Sequence, residues 1–528
     1  MLGRSLTSRL RAASRSLQTH HTVDFTARNE AISQNQNLFY PSLSKLEAAT
    51  SSIAHFKQKY ANLKTDDTNA REVLRARISS IRLAGKNMCF IDVGNAQNST
   101  QLILNYNVML QHTHDTKIPP LTKEAFFQHV QGLKPGDHIQ APGFPGLSQR
   151  ERTLSLKCTQ MVQILAPALQ ALPPKLNDLV KRNQNRALDY QVNGYTSLIT
   201  RHRILSAIRE FLNSRSFLEV ETPILSPKSN GAAARAFVTR AQSTQKTLEL
   251  RVAPELWLKR LIVGGLDRIY EIGKVFRNEG VDATHSPEFT TLEFYQSYAS
   301  MEDLIALSEK LYMHVLNSVD TPIARKLKDA FENNGTKFNR VEFLPTLLQE
   351  TGVDLRNVDL SNSDDIEAAF SSKGINIEAN GKSPQQILNI VCGRFIETKH
   401  CMGMIPTLIY HHPTIMSPLA KGNPDDNLFT SKRFEVFIHG KEYINAYEEE
   451  NSPVLQLQKF IAQQEAHDNY GDDESLAVDT GYVEAMKWGM PPIGGFGLGI
   501  DRLCMLLTGN SRIERVLSFG TIDDVERQ

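Results

Sequence analysis

Residues 251–295 read RVAPELWLKRLIVGGLDRIYEIGKVFRNEGVDATHSPEFTTLEFY. The pattern predicts a strand over 269–276 that delivers Arg277 and Glu279, then a polar turn with Gly280, Asp282 and His285, then a second strand over 289–295. Residues two apart on a strand share a face, so Glu293 and Tyr295 are expected to look into one pocket. Strand, turn and strand, with an arginine and acids along one side, suit a site that holds a polyphosphate and a cationic small molecule together. The competing reading is a buried Arg–Glu pair in a purely structural hairpin.

The stretch resembles motif 2 of the class II aminoacyl-tRNA synthetases. Its FRNEG run (276–280), followed by H-x-P-E-F-T-x-x-E-F-Y (285–295), is similar to the lysyl-tRNA synthetases in particular. The resemblance continues downstream in PTIMSPLAK (413–421), RFE (433–435) and KEYINAYEE (441–449). PPIGGFGLGIDR (491–502) resembles motif 3. Its glycines alternate as in a strand and no G-x-G-x-x-G opens the helix that follows, so it is not a dinucleotide fingerprint.

This resemblance implies residue roles. Arg277 and Arg502 are the expected catalytic residues, Arg277 on the α-phosphate and the lysine carboxylate, Arg502 on the γ-phosphate. Glu279 and His285 would help seat ATP, Phe289 would stack on adenine, and Gly497 and Gly499 would leave room for the adenosine. The Gly231 carbonyl and Glu255 would meet the α-amino group of lysine. Glu293, Tyr295 and Glu449 would surround its side-chain ammonium, with Asn445 and Tyr447 closing the pocket. Glu435 and Glu442 match carboxylates that hold magnesium between ATP phosphates, and magnesium is satisfied by a few carboxylates plus phosphate oxygens and water. Two features depart from the simplest pattern. Relatives usually carry Gly-Gly where this chain has Asn230-Gly231, and Glu448-Glu449-Glu450 reads by composition as a solvated acidic run. The position of Glu449, four residues after Asn445, is what assigns it to the pocket.

A length of 528 residues suggests two to four domains. Hydrophobic content of 41% and charged content of 22% are those of a globular chain. The formal charge of +1 provides no global basic field, so any nucleic acid must be held by local patches. No stretch approaches the roughly 20 apolar residues of a membrane helix. Cys89, Cys158, Cys392, Cys401 and Cys504 form no C-x-x-C pair, so neither a zinc site nor a disulfide framework is indicated. Residues 1–23 carry Arg4, Arg9, Arg11 and Arg15 before the first acid, Asp24, with frequent serines and Leu2, Leu6, Leu10, Ala13 and Leu17 at helical spacing. That is the composition of a mitochondrial transit peptide and predicts the mitochondrial matrix. The alternative is a basic tail that contacts RNA.

In chain order, residues 24–68 predict a short helical extension with a weak apolar stripe of Leu43, Leu46, Ile53 and Phe56. Residues 69–166 hold several short strands with one helical piece (Phe126, Phe127, Val130) between the third and fourth, which suits an OB-fold barrel. The order is similar to the anticodon-binding domain of lysyl-tRNA synthetases, and Arg77 and Phe90 fall where that family places anticodon contacts. Phe90 reads equally as a core aromatic, and Gln101 stands out of the relatives' register. Residues 167–195 predict a polar linker, weakly similar to the relatives' connector. Residues 196–528 form the catalytic domain. Its helix at 197–213, strand at 217–223 and terminal Thr222-Pro223 resemble motif 1, which implies a homodimer. An insertion is expected at about 316–395. The fold class is α+β: a class II antiparallel sheet flanked by helices, preceded by an all-β OB-fold barrel.

The resemblance thus implies an ATP-dependent lysine–tRNA ligase of mitochondrial translation, with magnesium as cofactor, lysine, ATP and tRNA(Lys) as partners, and no membrane association. Glu293 and Glu449 argue for a cationic substrate, since an unpaired buried charge costs several kcal/mol. Two other readings share the fold: a paralogue that charges another amino acid or modifies a protein, against which the barrel speaks, and a non-catalytic RNA-binding relative, against which the retained arginines and acids speak.

Overall fold

Alternating apolar residues close the first unit of this chain into a barrel. In the computed structural model the described residues are 25–524 apart from 96, 113–120, 150–151, 229–230, 233, 472–477 and 523. The transit peptide expected at residues 1–23 and Asn230 lie outside them. The chain divides into two compact units, Met1–Thr196 and Ser197–Gln528.

In the first unit, β1 (Glu72–Leu83), β2 (Met88–Gly94), β3 (Ser99–Asn105), β4 (His138–Leu147) and β5 (Leu154–Cys158) pair in the order β1-β2-β3-β5-β4, and β1 also pairs with β4. That last ladder closes the barrel and leaves no free edge among the five. A sixth strand, β6 (Gln163–Ala166), adds to β4. Leu74, Ile78, Cys89, Ile91, Leu102 and Leu104 point inward. The helix Lys123–Gly132 between β3 and β4 starts where the Thr122 side chain accepts the Ala125 N–H, and it lays Phe126 and Val130 on that core. The helical extension ahead of the barrel joins the same core through Ile53 and Phe56, whereas Leu43 stays exposed. Buried Glu72 secures it, accepting from Thr50, Ser51, Lys59 and Tyr60. The stretch expected as a polar linker is helical over Leu179–Gln184 and Arg186–Asn193. Asp178 and Asn185 cap the two helices, and Asp189 binds both Arg182 and Arg186.

The second unit is built on an eight-stranded sheet. In spatial order it contains Asn339–Glu342, Thr407–Tyr410, Arg433–Ile438, Lys441–Glu448, Ile493–Gly499, Glu288–Ser297, Arg268–Phe276 and Leu218–Glu219. One face is apolar. Phe294 stacks on Phe496 at 4.4 Å, and Leu292, Leu498, Phe434, Val436 and Ala446 join them against the helices Thr196–Asn213, Met301–Ser318 and Ile500–Thr508. The other face is polar and carries the site. The strand expected over 217–223 pairs only at Leu218–Glu219, parallel to Arg268–Phe276. Beyond Val220 the chain leaves the ladder because the Glu271 carboxylate takes the Thr222 N–H and hydroxyl instead. The stretch expected as an insertion, about 316–395, is divided between two apolar clusters. Leu316, Leu327, Phe331 and Phe338 belong to the main core, and a separate apolar cluster starts only at Phe343.

Candidate active site

Strand register builds the floor of the site. One row across the sheet runs Glu435, Asn445, Gly497, Glu293, and the next runs Arg433, Tyr447, Gly495, Tyr295. Each row has a glycine at its centre. A β-carbon on Gly495 would overlap Glu449 Oε1 and crowd the Tyr295 ring, so the absence of a side chain there lets the Glu449 carboxylate lie over the sheet. At Gly497 and Gly499 an added β-carbon would meet nothing closer than 3.5 Å, so these two leave open space above the strand.

Glu442 reaches the site by a different route. It stands three residues from Asn445, and strict alternation would turn it to the apolar face. A register shift between Val436 and Phe437 pairs Phe437 with Glu442, which returns the carboxylate to the polar face.

All sixteen catalytic, ATP, lysine and metal residues expected within this unit line one cavity of about 470 Å³, from Gly231 and Glu255 through Arg277 and Glu293 to Glu449 and Arg502. Its two ends differ. At the first, Arg277 lies with its guanidinium 5.2 Å from the centre of the Phe289 ring and makes no ion pair among the described residues. Its Nε is buried without a hydrogen-bond acceptor. Arg502 donates to the Glu442 carbonyl at 3.0 Å and to His285 Nε2 at 2.7 Å. His285 therefore places its proton on Nδ1, toward Asp282 at 2.8 Å. Glu279 is exposed at the mouth. Glu435 is held by Arg433 and by His412, 3.3 Å away, and these two partners keep its carboxyl low against the effect of burial, while burial lowers His412 itself. Burial and the neighbouring Glu435 charge push Glu442 up to about 7.

At the second end, Glu255, Glu293 and Glu449 are all buried. The Tyr295 hydroxyl donates to Glu293 at 3.0 Å and the Tyr447 hydroxyl to Glu255 at 2.7 Å. Burial, then the adjacent Glu255, pushes the Glu293 carboxyl up to about 8. Burial also pushes Glu449 up, while the Lys259 ammonium pulls against it. Glu448-Glu449-Glu450 is no solvated run: Glu449 is 1% and Glu450 2% exposed, and Glu450 is paired with Lys459 at 2.8 Å.

Five participants went unseen in the sequence. Lys259 is fully buried against Glu255 and Glu449, Arg433 and His412 grip Glu435, and Arg201 with Asp501 fixes the backbone of Thr290. Only Lys259 had a local signal, its i,i+4 spacing from Glu255 on the helix Glu255–Val263.

The first unit carries the other two expected residues. Ile78, Cys89 and Ile91 face inward, so Arg77 and Phe90 face outward, and neither is in the barrel core. The reading of Phe90 as a core aromatic falls. Arg82 lies over its ring at 4.5 Å, and Gln101, which binds Asp92 at 3.2 Å, shares the outer face of the neighbouring strands.

A polar sheet face with arginines at one end and acids at the other matches a known group. Residues 178–523 fit the family of tRNA synthetases class II (D, K and N), and the chain belongs to that family. Among its relatives, the mitochondrial lysine–tRNA ligase of Saccharomyces cerevisiae is 45% identical, with 98% of this chain and 96% of the relative covered. The mitochondrial lysine–tRNA ligase of Schizosaccharomyces pombe is 36% identical over 96% and 94% of the two chains. A lysine–tRNA ligase of Streptococcus pneumoniae is 38% identical over 90% and 92%.

Proposed function

We infer that this protein is a lysine–tRNA ligase, which activates lysine with ATP and transfers it to tRNA(Lys). The observation that carries the reading is the segregation of charge in one cavity, with Arg277 and Arg502 at one end and buried Glu255, Glu293 and Glu449 at the other. In the first step a carboxylate oxygen of lysine attacks the α-phosphorus of ATP, the bond to the bridging oxygen breaks, and pyrophosphate leaves. The nucleophile is already an anion, so no general base is required and the protein contributes mainly position and charge neutralisation. The planar fork of Arg277 suits the α-phosphate and the lysine carboxylate together. Arg502 takes the γ-phosphate, Glu279 and His285 help seat ATP, and Phe289 stacks on adenine. Glu255 and the Gly231 carbonyl hold the α-amino group. Glu293, Glu449 and Tyr295 hold the side-chain ammonium under Asn445 and Tyr447. In the second step the terminal ribose hydroxyl of the tRNA takes the lysyl group and AMP leaves.

Glu435 and Glu442 suit a hard divalent cation, being a half-buried carboxylate pair of which one member is already matched by Arg433 and His412. They would hold Mg2+, which supplies neutralisation of the ATP phosphates. No group of three or more His, Cys, Asp or Glu placed to hold a metal ion occurs among the described residues, so phosphate oxygens and water would complete its shell. Arg77 and Phe90 on the barrel are the proposed anticodon contacts, in the manner of stacking platforms for single strands. Exposed Leu218, Ile224 and Leu225 beside the motif 1 strand support a homodimer. The acid-free leader and the mitochondrial relatives support action in the mitochondrial matrix.

ATP–pyrophosphate exchange with each amino acid in turn tests the reading. Exchange with lysine alone is expected, and exchange driven by another amino acid, or none, would overturn it.

A further inference from the structure

One buried cation behind the amino-acid end of the cavity belongs to neither the ATP nor the lysine contacts assigned above. Lys259 is fully buried, and its ammonium lies 2.5 Å from Glu255 and against Glu449. The Tyr447 and Tyr295 rings stand 5.6 Å and 6.0 Å from it. Glu255 sits one turn earlier on the same helix, whereas Glu449 follows the sheet strand Lys441–Glu448. The ammonium therefore ties a helix to a sheet through the two carboxylates proposed to take the two amino groups of one substrate. An isolated buried cation would lose its proton, but burial is outweighed here by Glu255 and Glu449, which hold the proton on Lys259.

Charge bookkeeping at this end is specific. Glu255, Glu293 and Glu449 are three buried carboxylates, and among the described residues Lys259 is the one ammonium paired with any of them. A lysine substrate brings two ammonium groups to this end and turns its carboxylate toward Arg277. Three acids then face three cations. Without Lys259 the bound state would keep one uncompensated buried charge, and Glu255 and Glu449 would repel each other across the binding position.

Resting on the lysine–tRNA ligase reading, we propose that Lys259 is a positioning residue of the amino-acid site: its ammonium spans Glu255 and Glu449, sets the distance between the α-amino and side-chain ammonium positions, and leaves the pocket, once its three acids are ionised, short of two positive charges, the number lysine carries. A substrate with one ammonium, such as norleucine or 6-aminohexanoate, leaves the balance unmet.

The test is lysine-dependent ATP–pyrophosphate exchange by the full chain carrying Lys259→Met, a substitution of similar length without the charge. The expected result is a lysine KM raised tenfold or more, an ATP KM within about twofold of the parent, and a smaller change in kcat. A merely structural lysine would move both KM values together, or neither, and either result overturns the proposal. Should Lys259→Met give no soluble protein, Lys259→Arg is measured instead. It keeps the charge but displaces it, and a raised lysine KM with an unaltered ATP KM supports the assignment, while an unaltered lysine KM overturns it. Absence of lysine-dependent exchange in the parent chain would fail the ligase reading itself, and the role of Lys259 with it.

Discussion

Glu293 shows how one side chain couples proton and substrate. Burial and Glu255 push its carboxyl up to about 8, so the empty site holds a proton there at neutral pH. A substrate ammonium needs the ionised form, so binding expels that proton. The sign follows: affinity for lysine is poorest where the free site is protonated and improves as pH rises toward the free-site value. Lysine KM is expected to fall between neutrality and about pH 8, by at most roughly tenfold per unit, and then to level off. Measuring lysine KM against pH at saturating ATP checks this, and a flat profile would mean that Glu293 stays neutral with substrate bound. Glu293 was legible in the sequence because it stands two residues from Tyr295 on one strand. Lys259 was not. An acid and a lysine four apart on a helix look like an ordinary surface ion pair, and only the tertiary fold shows that the pair is buried and shared with Glu449.

Among the elements, the junction of three is held by one carboxylate. Asp501, in the first turn of the helix Ile500–Thr508, accepts the Thr290 N–H at 2.7 Å and pairs with Arg201 of the helix Thr196–Asn213. Arg201 also donates to the Thr290 hydroxyl at 2.9 Å. Removing one partner of such a buried network leaves a charge and an N–H unmatched. Asp501→Ala is expected to lower stability by about 3 kcal/mol. Chemical denaturation measures it, and a loss below about 1 kcal/mol would show that water replaces the carboxylate. Most strands of both units were legible from alternation and turn residues. The exceptions have local causes. The strand at 217–223 is cut short by Glu271, whose side chain competes for its backbone. The placement of Glu442 was legible only by resemblance, because a bulge breaks the alternation that strand reasoning relies on.

Across the whole molecule, the proposed chemistry and the proposed RNA reading fall to different units. The cavity is lined entirely by residues of Ser197–Gln528, while Arg77 and Phe90 lie on the outer face of the barrel in Met1–Thr196. Arg77→Ala and Phe90→Ala are therefore expected to raise the KM for tRNA(Lys) about tenfold or more, since a stacked base is worth ~1–3 kcal/mol, and to leave lysine-dependent exchange unchanged. Aminoacylation and exchange assays on the same preparations separate the two effects. Loss of exchange in either variant would contradict the division. Composition alone could not have located the proposed RNA surface, because a net charge of +1 carries no trace of a local patch.

Gly495 has a genetic consequence. Every single-nucleotide change of a glycine codon that alters the residue without ending the chain adds a β-carbon, and at this position the added carbon lands on the Glu449 carboxylate. A missense allele at codon 495 is thus expected to displace the Glu449 carboxylate. Any variant recovered there should be impaired in lysine activation more than in accumulation of the polypeptide.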